Sequence, residues 1–62
     1  MLEQNIKQLE EVITKRLRLA NETDSAEVMQ WNKNYIWGME LVLIAAGYKV
    51  TYYDENAYIE KF

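Results

Sequence analysis

Cysteine and histidine are both absent from this 62-residue chain. Disulfides are therefore excluded, together with almost every zinc or transition-metal site, because those need thiolate or imidazole ligands. Gone too are the thiol nucleophile and the imidazole base that serve many enzyme sites. Only two glycines occur, and no glycine-rich phosphate loop is present. No early apolar run follows the first residue, where Glu3 stands instead, so no secretory signal is expected. The most apolar stretch, Ile36 to Ala46, covers about 11 residues, whereas a membrane span needs roughly 20. Internal repeats and low-complexity segments are also missing. These absences predict a soluble, cytoplasmic, non-enzymatic chain with no cofactor, no metal and no membrane partner.

A chain of this length is near the lower limit for a self-sufficient core. Small scaffolds gain stability from disulfides, a metal, oligomerisation or unusually good helix packing. With the first two removed, self-association or a well-packed helical core remains. Half of the residues are hydrophobic, and two Trp, five Tyr and one Phe supply large apolar area per residue. Formal net charge is −3. Residues 1–20 hold four basic and three acidic side chains, and residues 21–62 hold three basic and seven acidic ones. Such acidity argues against general nucleic-acid binding, which works by neutralising phosphates.

Leu2, Ile6, Leu9, Ile13, Leu17 and Ala20 recur at steps of three and four, which predicts an amphipathic helix over about 2–20. Val12 and Leu19 widen its stripe. Glu3 with Lys7 and Glu11 with Lys15 are i,i+4 pairs in the favourable order. The polar segment Asn21 to Ser25 predicts a short connector, with Asp24 and Glu27 as a capping box and Thr23 as the alternative N-cap. It also spells N-x-T, a glycosylation pattern of little weight without a secretory signal. A second helix over about 25–46 follows. Its broad stripe of Val28, Met29, Trp31, Tyr35, Ile36, Met39, Val42, Leu43 and Ala46 is expected to pack on the first helix. Trp37, Leu41 and Ile44 lie opposite, also at helical spacing. Gly47 predicts a left-handed stop, with Tyr48 touching Leu43.

Residues 48–61 are expected to form a short β-strand or β-hairpin, since Tyr48, Val50 and Tyr52 alternate with Lys49, Thr51 and Tyr53. Asp54-Glu55-Asn56 is the turn candidate. The expected resting place of this element is the Trp37, Leu41, Ile44 surface. The fold class is thus mostly α: an antiparallel αα-hairpin followed by a C-terminal β element, in one domain.

The stretch Gly38 to Val50, GMELVLIAAGYKV, resembles small uncharacterised phage and prophage proteins of Gram-positive bacteria. Those also end a helix with Gly-Tyr-x-Val and continue into a short, acidic, Tyr-containing tail. The resemblance covers this stretch alone and transfers no functional residue. It implies a mobile-element origin and a regulatory or host-protein-binding role.

Glu40 is the one charged residue inside the apolar run, and helical geometry puts it at the rim of the stripe beside Lys33. Trp31, Tyr35 and Met39 share the stripe and read as core. Trp37, with Leu41 and Ile44, faces away and is the best hot-spot candidate. Tyr52, Tyr53, Glu55 and Tyr58 add an acidic, aromatic tail that could compete for a basic protein site. Those seven residues form the candidate interface of a homodimer, or of a regulator or inhibitor with an unidentified protein target. One alternative is a nucleic-acid-binding dimer using Lys15, Arg16 and Arg18; another is a purely structural assembly element.

Overall fold

The computed structural model describes residues 2–62 and places two helices ahead of a two-stranded hairpin. Helix α1 spans Glu3–Glu22 and helix α2 spans Ala26–Ala45. Strand β1, Tyr48–Tyr53, pairs antiparallel with β2, Asn56–Lys61. The expected architecture is therefore present, and the C-terminal element is a hairpin rather than a single strand. α1 runs two residues beyond its expected end, stopping where the Thr23 amide donates back to the Leu19 carbonyl at 3.1 Å.

The N-cap of α2 differs from expectation. Ser25, not Asp24 or Thr23, adopts the extended cap conformation, and its Oγ accepts the Val28 amide at 3.2 Å. Thr23 Oγ1 instead accepts the Ser25 amide at 3.1 Å, so the connector folds on itself. The extra residues in α1 use up the slack that a cap at Asp24 would need. At the other end Gly47 has φ +92°, a left-handed conformation glycine reaches without a Cβ penalty. Tyr48 follows directly into the core beside Leu43, as the stop motif predicts.

Asp54 and Glu55 form a two-residue turn with φ of 52° and 64°. Tight hairpins favour this mirror-image geometry because it matches strand twist, usually with Asn-Gly. Here non-glycine residues carry it, helped by the Asn56 side chain, which donates to the Asp54 carbonyl at 3.2 Å. β2 therefore starts at Asn56, inside the segment expected to be turn.

Ile13 is fully buried and sits among Ile36, Leu43, Tyr48, Ala57 and Ile59, with Ile6, Leu9, Leu17, Met39 and Val50 packed around them. β2 lies along α1, β1 lies along α2, and the helices pack on each other. The hairpin thus closes the groove between the two helices. Sequence periodicity placed it over Trp37, Leu41 and Ile44, which instead stay 64%, 49% and 51% exposed on the flank beside it. The cause is the length of the link: only Ala46 and Gly47 separate α2 from β1, so the hairpin folds directly onto the α1 side, where Ile13 and Leu17 await it.

Candidate protein-interaction surface

α2 meets α1 and β1 through one narrow line of residues. Only Asn32, Ile36 and Leu43 are buried on it, with Met29, Met39 and Glu40 half-buried. At 100° per residue those six fall within a single sector, and the apolar residues on both sides of it remain outside. The broad stripe expected to pack on α1 is correspondingly overturned in part. Trp31 is 75% and Val42 69% exposed, and Val28 and Ala46 are also on the surface. α1 is too slender to cover a stripe that wide, and the hairpin takes the remaining room.

The flank of α2 towards α1 opens into a cleft of about 360 Å³ lined by Leu9, Tyr35, Gly38, Met39, Val42, Leu43 and Ala46. The Arg16 guanidinium stacks 4.4 Å from the ring centroid of Tyr35, one of the lining residues. Arg16 Nη1 also donates to Asn32 Oδ1 at 3.3 Å, while Asn32 Nδ2 donates to the Val28 carbonyl at 2.9 Å. Asn32, the one buried polar side chain among the described residues, is thereby satisfied on both ends, as burial requires. No feature of the sequence marked Asn32, because a single polar residue inside an apolar stripe usually faces water.

The flank towards β1 carries Trp37, Leu41 and Ile44. Glu40 lies one turn from Trp37 and one from Ile44 and reaches the hairpin, where the Tyr52 hydroxyl donates to its Oε1 at 2.7 Å. Burial, then this hydrogen bond, then the negative charge of Glu40 push the Tyr52 hydroxyl pKa well above its ordinary value. Glu40 is thus a strut between α2 and β1 rather than a bystander beside Lys33. It draws Tyr52 up to the Trp37, Leu41, Ile44 flank.

The remaining interface candidates lie elsewhere. Tyr53 and Tyr58 project from the outer face of the sheet, and Tyr53 is 76% exposed. Glu55 sits in the turn and accepts from Asn21 Nδ2 at 2.8 Å. The seven residues accordingly divide into the helical trio Trp37, Leu41 and Ile44, to whose helix Tyr52 is bonded through Glu40, and a separate aromatic face with an acidic turn.

The basic residues of α1 diverge as well. Arg16 turns inward to Asn32 and Tyr35, and Arg18 Nη2 donates to Asn56 Oδ1 at 2.8 Å beside the hairpin turn. Lys15 stays exposed with no such partner among the described residues. Among the described residues, no cluster of three potential ligands could hold a metal ion, and no helix is long and apolar enough to cross a membrane. Compared with family models, with curated proteins and with solved structures, the chain matches none.

Proposed function

We propose that the protein is a small, non-catalytic, homo-oligomeric interaction module, working in the cytoplasm as a regulator or inhibitor of the mobile-element type that binds another protein. The observation that carries this reading is the apolar surface left on both flanks of α2. A folded monomer of this mass should expose about 4,200 Å². This chain exposes 4737 Å², and Trp31, Trp37, Leu41, Val42 and Ile44 are among its exposed apolar residues. Contiguous exposed apolar area on a small protein marks an association site, and aromatic residues are its usual energetic centre. Two flanks accommodate two tasks, one copy-to-copy and one for the target.

Nucleic acid suits this surface poorly, since Arg16 turns inward to Asn32 and Tyr35 while Arg18 bonds Asn56 by the hairpin turn, which divides the basic strip. The test is molar mass in solution by light scattering, for the native chain and Leu41→Glu, followed by capture of partners on the immobilised protein. A dimer that Leu41→Glu dissociates supports self-association through the β1-side flank. A stoichiometric foreign partner, lost with Val42→Glu, supports the regulator. Self-association with no partner recovered would leave a purely structural assembly element. A monomer that captures nothing would sink the reading.

A further inference from the structure

The two edges of the hairpin meet different surroundings. Hydrogen-bond parity is fixed by the Phe62 amide, which donates to the Gly47 carbonyl at 3.1 Å, and by the one-to-one register from Tyr48↔Lys61 to Tyr53↔Asn56. It directs the main-chain groups of Ala57 and Ile59 away from β1, and those of Val50 and Tyr52 away from β2. α1 takes up the amides of the first pair. The Ala57 amide donates to Thr14 Oγ1 at 2.9 Å and the Ile59 amide to Glu10 Oε2 at 2.7 Å. Nothing equivalent serves the second pair: among the described residues, no group hydrogen-bonds the main chain of Val50 or Tyr52 on that edge.

Natural proteins protect such an edge with proline, a bulge, an inward charge or charged residues such as lysine along it. β1 has no proline, bulge or inward charge, and a single lysine. Its register is continuous, and Lys49, its one charged residue, points to the outer face. The apolar α2 flank lies alongside, tied to this strand by the Tyr52–Glu40 hydrogen bond. Open edge and apolar flank make one surface.

We propose that this edge is completed by β1 of a second copy, antiparallel about a twofold axis at Thr51. Val50 of each copy then exchanges N–H and C=O bonds with Tyr52 of the other. The product is a four-stranded sheet in the order β2-β1-β1-β2, with Trp37, Leu41 and Ile44 of the two copies apposed across the axis. This deepens the self-association proposed above and rests on it. Three features favour a second copy as occupant. A twofold contact uses one patch against itself, and this patch is apolar rather than singly charged, so it does not repel its own image. The register sets Thr51 against Thr51 and Lys49 against Tyr53, with no like charges opposed. Two-stranded hairpins are marginal alone, and a stable interface needs about 800 Å² per subunit, roughly a sixth of this surface.

The experiment follows amide hydrogen exchange of the native chain by NMR across a concentration series, with molar mass measured on the same samples. Dimeric mass, with the Val50 and Tyr52 amides slowing at least about tenfold on association while Ala57 and Ile59 stay slow throughout, is the expected result. A dimer in which Val50 and Tyr52 exchange as fast as in the dilute monomer overturns strand pairing and leaves self-association intact on another surface. A monomer at every concentration overturns both and leaves the edge to a strand of a different protein. Because the chain has no cysteine, Thr51→Cys adds a register test. Oxidation should link two copies through it and not through Glu60→Cys on β2. Failure of the Thr51→Cys link overturns the twofold at that residue.

Discussion

α1 and α2 are each 20 residues long, yet they play opposite parts in the fold. α1 is the less apolar helix and turns Ile13, Leu17 and Ala20 inward, leaving Val12 and Leu19 at the surface, while its polar side chains Glu10 and Thr14 reach across to hold β2. α2 is the more apolar of the two and buries less of what it has. The helix with the ordinary sequence thus builds the monomer, and the helix with the surplus faces outward. Hydrophobicity alone does not say where a core is; coverage by neighbours decides that.

The largest test of this contrast pairs one apolar residue from each helix. Ile13→Ala should cost about 2–4 kcal/mol in urea unfolding, because it removes three carbons from the centre of the core and leaves a cavity. Small single-core domains hold only about 3–5 kcal/mol in all, so this variant should be largely unfolded or close to it. Val42→Ala, in the more apolar helix, should shift stability by no more than about 0.5 kcal/mol. Equal losses in the two variants would break the contrast.

That division was only half legible in the chain. The period of Leu2 to Ala20 and the Gly47-Tyr48 stop specify two helices and a turn towards a β element, because each is a local signal that neighbours reinforce. The hairpin was legible through the alternation of Tyr48, Val50 and Tyr52. Which side of α2 it covers was not. The Met39 side and the Trp37 side of α2 are both apolar, and only the two-residue link of Ala46 and Gly47 decides between them. Nothing in the sequence marks Glu10 or Thr14, since a side chain that serves a strand edge from 49 or 43 positions away leaves no periodic trace. Of the seven interface candidates, the helical trio was legible as a group from spacing. Tyr52 joins it only through Glu40, a contact between elements.

The second test concerns those strand-holding side chains. Glu10→Ala strips a charge-assisted bond from the Ile59 amide and leaves a half-buried donor unpaired, which should cost about 1–3 kcal/mol. The Ile59 amide should then exchange with solvent much faster than in the native chain. On the α2 side, Tyr52→Phe removes a more exposed bond and should cost less than about 1 kcal/mol. Finding Tyr52→Phe the costlier change would reverse the roles assigned to the helices.

A third test exchanges the helix starts. α2 is capped by Ser25, whereas Leu2 stands at the α1 N-cap with no side-chain acceptor. Ser25→Ala should cost about 1 kcal/mol, and Leu2→Asp should gain up to about that much, adding both an acceptor and a favourable charge at the helix dipole. Thermal unfolding resolves both, with opposite signs expected. Two losses would show that Leu2 contributes packing not evident from its position.

The smallest effect appears only in alkali. Tyr52 has its pKa raised in the folded chain by burial and by Glu40, above the ordinary value of 10.0 that it takes when unfolded. A raised folded pKa means that the neutral hydroxyl is the form the fold prefers, so its contribution is complete below about pH 10 and is lost as pH climbs through the folded value. The difference in unfolding midpoint between the native chain and Tyr52→Phe isolates this group, because the other tyrosines are common to both. That difference should be flat from neutral pH to about pH 10 and shrink above it. A difference that grows in alkali would mean that the ionised oxygen is the stabilised form, and the Tyr52–Glu40 strut joining β1 to the exposed flank of α2 would have to be abandoned.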